Sequence, residues 1–134
     1  MALAILFGLL CALGAHGLPR APEGDPIGAV QGLVERVLGK DVVSKFEFDI
    51  IPADDSSGMD VFELDHNGTV IVVRGNTGVS LASGLNHYLK YWCNCTVTWG
   101  RDGTGDQLNL PNPLPLPDDT VRVVSPVKYR YMEN

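Results

Sequence analysis

The chain has 134 residues, enough for one domain with a real core and short for two. Hydrophobic residues make up 45% and the mean hydropathy is +0.07, which excludes a disordered polar tail and fits a globular domain. A formal net charge of −6 argues against nucleic acid and anionic membrane surfaces as partners, because both repel an acidic protein.

In chain order, residues 1–17 (MALAILFGLLCALGAHG) contain no charged side chain and are dominated by Leu and Ala. The apolar run is shorter than the ~20 residues that span a bilayer. Ala15 and Gly17 place small residues at the −3 and −1 positions of a cleavage site. The segment reads as a secretory signal peptide, although it has no basic n-region beyond the N-terminal amine. Cleavage after Gly17 leaves 117 of the 134 residues, still with net charge −6. No later stretch is long and apolar enough to anchor the chain, so the reading is a soluble protein of the secretory pathway with no membrane partner.

Residues 18–24 (LPRAPEG) are a proline-containing lead-in. Asp25 then suits a helix N-cap, with Pro26 at the first helical position. Ile27, Val30, Val34 and Val37 recur at spacings of three and four, flanked by Leu33 and Leu38, and predict an amphipathic helix ending at Gly39. KFEFDII (45–51) alternates Phe46, Phe48 and Ile50 with Glu47 and Asp49, the pattern of a half-buried strand. After a loop over 52–58, VFELDHNGTVIVVRG (61–75) reads as two strands joined at Asn67-Gly68, a strong hairpin signal. Residues 70–73 are apolar throughout, which suggests a central strand covered on both faces. A helix follows over 78–92, then a strand over 95–99 (CTVTW), implying a crossover between parallel neighbours. RDGTGD (101–106) is a turn, QLNLP (107–111) a short edge strand, and PNPLPLPDD (111–119) a stiff proline-rich connector. TVRVVSPVKYRYMEN (120–134) begins as a further strand and ends on an alternating pattern, as a chain cut short would. These elements predict an α/β (α+β-like) domain: a small mixed β-sheet of about four to five strands with two helices, including a strand-helix-strand crossover.

The glycine turn before the second helix invites comparison with phosphate-binding folds. Its glycines, Gly75, Gly78 and Gly84, stand at spacings of three and six, whereas a dinucleotide fingerprint needs GxGxxG and a P-loop needs a lysine that is missing here. The structural reading is that Thr77 caps the helix, Gly75 or Gly78 adopts a backbone shape that side chains resist, and Gly84 lets helix approach sheet. The apolar and aromatic residues Leu81, Leu85, Tyr88, Leu89 and Trp92 form a core stripe with His87 beside it. His16, His66 and His87 make no ligand-spaced pair, and His87 with Cys93 and Cys95 matches no zinc pattern, so neither metal nor cofactor is expected. Asp54-Asp55 and Asp118-Asp119 read as loop acids, while Glu63 and Asp65 point outward from a strand. None forms the paired carboxyls of a glycosidase, and Ser80 and Ser83 lack a nucleophile-elbow context.

Cys11 lies in the leader, which leaves Cys93 and Cys95. On a strand these would face opposite sides, so a bridge between them would be strained. Asn67-Gly68-Thr69 and Asn94-Cys95-Thr96 both fit the N-glycosylation pattern, the first at an exposed hairpin tip.

The combination RGNTGVSLASGLNHYLKYWCNCTVTW, LNLPNPLPLP and KYRYMEN resembles the N-terminal domain of the animal lysosomal α-N-acetylglucosaminidases, over roughly residues 27–134. The resemblance implies a small α/β domain over 18–117, a (β/α)8 catalytic barrel beginning within 118–134, and an all-helical domain beyond. It also implies a retaining hydrolase that removes terminal α-linked N-acetylglucosamine from the non-reducing end of heparan sulfate with two glutamates. Those glutamates belong to the barrel, and no acid here matches them. A Y-R-Y-x-x-N stretch of the family contributes an asparagine to the sugar pocket, which places Asn134 in a substrate-binding role. The implied partners are the barrel and helical domain of the same polypeptide, and the implied compartment is the lysosome. A free-standing secreted binding module and a nucleotide-binding domain are the alternatives.

Overall fold

In the computed structural model, residues 24–98 and 107–128 are described. The first helix, α1, spans Pro26–Leu38, with Asp25 at its N-cap accepting a hydrogen bond from the Gly28 amide at 2.8 Å. Proline at the first position has no N–H to leave unsatisfied, and Asp25 takes up another of the exposed donors. The helix buries Val30 and Val34, and stops at Gly39, whose φ of 102° favours glycine. A short 3₁₀ turn over Lys40–Lys45 leads into β1, Phe46–Ile50.

Strands β2 (Val61–Asn67) and β3 (Val70–Gly75) form the expected hairpin, antiparallel and turning at Gly68 with φ 69°. Helix α2 spans Gly78–Tyr91, and β4 is Val121–Val124. The sheet order is β1-β3-β2-β4, with β1 parallel to β3 and β4 antiparallel to β2. The mixed α/β class, the four strands and the two helices are as predicted. The early part of 120–134 does form a strand.

The strand expected over 95–99 is not one. Trp99 lies outside the described residues, and Thr96 makes only an isolated bridge with Gln107, so the edge strand expected over 107–111 is likewise reduced to that bridge. The cause is local. Asn94 takes a left-handed conformation, φ 52°, and the Cys95 amide turns back to donate to the Leu89 carbonyl at 2.8 Å. That donor closes the end of α2 and is lost to any ladder. The strand-helix-strand crossover therefore runs from β3 through α2 to β4. Since β2 is antiparallel to both, β3 and β4 point the same way with β2 between them.

Both helices pack on one face of the sheet, α1 over β1 and α2 over β2 and β3. Phe46, Phe48, Phe62, Leu64, Ile71 and Val73 meet Val30, Val34, Leu81, Leu85, Tyr88 and Leu89 in a single core. β3 is interior, as expected, and its Val72 is buried on the face away from the core. Among the described residues, however, no helix covers that second face.

The connector over 111–119 is not a free spacer. Leu110 and Leu114 pack on the core, Pro117 is fully buried, and the Tyr88 hydroxyl donates to the Pro115 carbonyl at 2.7 Å. The core takes up Leu110, Leu114 and Pro117 while Asn112 and Leu116 stay exposed. The signal-like segment 1–17, the turn expected over 101–106 and residues 129–134 (YRYMEN), including Asn134, lie outside the described residues.

Candidate functional site

The glycine turn is tied off by its own side chains. Thr77 caps α2, its hydroxyl accepting from the Ser80 amide at 3.1 Å. The Ser80 hydroxyl donates to Asn76 Oδ1 at 2.8 Å, and that oxygen also accepts from the Val61 amide at 2.9 Å. Asn76 Nδ2 donates to Asp60 Oδ1 at 3.0 Å, and the Asn76 amide to the Val61 carbonyl at 3.2 Å. A phosphate arriving here would meet a filled cap and the Asp60 carboxylate. Asn76, unremarked in the sequence, thus stitches the turn to the start of β2; its place between glycine and a Thr cap was the only local signal.

Neither Gly75 nor Gly78 has a positive φ, so the backbone shape expected for them is not what requires glycine. Gly75 is needed for space: a Cβ there would lie 2.8 Å from the Leu81 nitrogen and 3.0 Å from Ser80 Cβ. Gly84 does bring helix to sheet, since its Cβ would fall 2.8 Å from Val73 Cγ1.

The acids divide between a loop and a charged sheet face. Asp54 organises the loop after β1 by accepting from Ser56 Oγ at 2.6 Å, Ser57 Oγ at 2.7 Å and the Ser57 amide at 3.1 Å. These bonds, led by Ser56, hold its carboxyl well below the usual carboxylate range. It is therefore more than a solvated loop acid. On the open face, Glu63 stands directly opposite Arg74 on β3 and Arg122 on β4. Arg122 donates to Glu63 and reaches Asp54 at 3.3 Å, while Arg74 lies 3.5 Å from Asp65 and 3.9 Å from Glu63. Asp65 is also lowered, first by the His66 amide and then by its Thr120 and Arg74 bonds. A glycosidase acid needs its pKa raised. Asp54 and Asp65 move the other way, and the face is a ladder of cross-strand ion pairs.

Cys93 and Cys95 are free thiols and both are buried in the core. The strand argument that set them on opposite faces does not hold, because Asn94 kinks the chain between them. Burial pushes both thiols up, and Cys95 Sγ donates to the Cys93 carbonyl at 3.5 Å. His87 packs among Phe62 at 5.3 Å, Tyr91 at 4.4 Å and Trp92 at 6.0 Å, and its pKa falls through burial and then through Lys90. Among the described residues no three of His, Cys, Asp and Glu gather where a metal ion could bind, and no helix is long and apolar enough to cross a membrane.

Asn67 ends β2 at the exposed hairpin tip, and Asn94 is also exposed. They share one end of the fold. Gly75 lies under Ser80 and Leu81, Gly84 over Val73, and Tyr88 against Phe46, which is level with Ile71. Helix α2 therefore runs back along β3 and finishes on the hairpin side.

The described residues thus form a two-layer α/β domain with an ion-paired outer face. The chain belongs to the family described as alpha-N-acetylglucosaminidase N-terminal domain, whose profile matches residues 28–116. It is 37% identical over 136 aligned residues to human alpha-N-acetylglucosaminidase, covering all of this chain and 18% of that protein. Among solved structures it resembles the family 89 glycoside hydrolase of Clostridium perfringens in complex with its substrate GlcNAc-α-1,4-galactose, at 36% identity and a TM-score of 0.72. That likeness covers 79% of this chain and 12% of the bacterial one. The same enzyme in complex with PUGNAc matches at 36% identity and 0.72, over 80% and 12%. The chain thus spans less than a fifth of the relatives it matches.

Proposed function

We propose that this chain is the non-catalytic N-terminal scaffold of an α-N-acetylglucosaminidase that removes terminal, non-reducing α-linked N-acetylglucosamine during heparan sulfate degradation. The observation that carries the reading is the family match over residues 28–116 together with likeness to only 12–18% of each relative's length. The relative's complex with an α-linked N-acetylglucosamine disaccharide supports the bond type. Retention by double displacement needs two carboxyls roughly 5 Å apart, one of them protonated. Here Glu63, Asp65 and Asp54 are engaged by arginines and by the loop after β1. The catalytic glutamates accordingly belong to the barrel of the same polypeptide, and Asn134 lines its sugar pocket.

The signal-like segment 1–17 routes the protein through the secretory pathway to the lysosome, with Asn67 and Asn94 as glycan acceptors. Both are exposed, which supports their modification. Treatment of the secreted protein with peptide N-glycosidase then lowers its mass by two glycans. The purified 134-residue chain is expected to leave an aryl α-N-acetylglucosaminide intact. Measurable hydrolysis overturns the scaffold reading, and a native C-terminus at Asn134 turns it into the free-standing binding module.

A further inference from the structure

The two helices do not cover the sheet evenly. α1 lies over β1 and α2 over β3 and β2, which leaves the core-side flank of β4 without a helix among the described residues. Val121 and Val123 on β4 only partly pack on the core. Facing them, α2 presents Ser83, His87 and Tyr91, four residues apart and so on adjoining turns of one side. Tyr91 is 63% exposed, a large aromatic surface left in water. Between α2 and β4 runs a shallow groove of about 180 Å³ whose lining includes Phe62, Ser83, Val123 and Pro126. That volume is below the several hundred Å³ of a typical small-molecule site. The flank fits a macromolecular surface better than a sugar.

Two other surfaces are less suited to a partner. The opposite sheet face is occupied by the Glu63, Arg74 and Arg122 ion pairs. The tip of the β2–β3 hairpin bears the Asn67 glycosylation pattern. The groove, by contrast, is where the chain leaves the sheet: the Ser125 amide donates to the Asp60 carbonyl at 2.7 Å, and Ser125 and Pro126 form its wall. In the human relative, 82% of the polypeptide lies outside the matched part. A domain joined by the chain that exits here is held beside this flank at high effective concentration.

We propose that the flank formed by α2 and β4, centred on Tyr91, His87, Phe62, Val123 and Pro126, is the surface on which the catalytic domain of the same polypeptide docks. This rests on the scaffold reading above, and its test separates the two. Protein purified from its source is footprinted with hydroxyl radicals and digested for mass spectrometry, comparing each side chain with its rate in denaturant. Ile50, 43% exposed at the end of β1, is the reference. In a polypeptide continuing past Asn134, labelling of Tyr91 is lost while that of Ile50 persists. Tyr91→Asp, at a position exposed enough not to disturb the fold, restores labelling at His87 and Pro126; Ile50→Asp does not. A continuing polypeptide in which Tyr91 labels as freely as Ile50 overturns the docking surface and leaves the scaffold reading standing. Protection that disappears on dilution assigns the flank to a second copy and overturns it as well. A native C-terminus at Asn134 overturns both.

Discussion

Replacing Gly84 by alanine sets two effects of opposite sign against each other. In an isolated helix the change would help, because glycine costs about 1 kcal/mol relative to alanine. In this fold the new methyl lands 2.8 Å from Val73 Cγ1, 3.2 Å from Phe62 Cδ2 and 3.4 Å from Phe62 Cβ. Val73 has no exposed surface and is β-branched, so its side chain has no free rotamer to retreat into. Forcing a methylene into a packed core costs typically 1–3 kcal/mol. With two neighbours to displace, the net loss is about 1–2 kcal/mol, a fall in Tm of roughly 4–15 °C for a domain of about 100 residues. Gly78→Ala is the control, since its Cβ meets only Pro26 Cβ at 3.5 Å, an ordinary contact. Thermal unfolding followed by circular dichroism compares the three proteins. A Gly84→Ala variant as stable as Gly78→Ala, or more stable than the parent, would refute the close approach of α2 to β3.

Asn76→Ala leaves the Val61 amide without its acceptor, while the Ser80 hydroxyl can turn to Thr77 Oγ1 at 2.9 Å, and should cost about 1–3 kcal/mol, read as a lower denaturant midpoint at unchanged slope. Asp54 has its carboxyl pKa depressed in the folded state, so its contribution is complete above the unfolded value near 4 and is lost as pH falls below it. The stability gap between the parent and Asp54→Asn therefore narrows from pH 5 toward pH 2; a gap that stays constant would show that the loop does not depend on the ionised carboxylate. Tyr88→Phe removes the bond to the Pro115 carbonyl, costs about 1 kcal/mol, and speeds amide exchange in residues 107–117 ahead of the sheet.

The periodic elements of this domain were legible because their signals are local. Asp25-Pro26 and Gly39 bound α1, Asn67-Gly68 sets the hairpin register, and Thr77 caps α2. Each depends on residues within a turn or two of one another, where capping and side-chain period decide the backbone. Residues 95–98 misled for the same reason. Their alternation is strand-like, but the Cys95 amide is spent on the end of α2. The apolar run 70–73 suggested two covered faces, whereas β3 meets a helix, α2, on one side only among the described residues.

What the sequence by itself determined is therefore the set of pieces: two capped helices, a hairpin and an alternating first strand. Only the tertiary structure decided that β4 joins β2 and that Glu63 stands between two arginines. It alone also showed that Asn76 binds the turn to β2, that Pro117 is buried, and that both cysteines point inward. These are pairings across long stretches of chain, where closing the loop is repaid by contacts that no local pattern encodes.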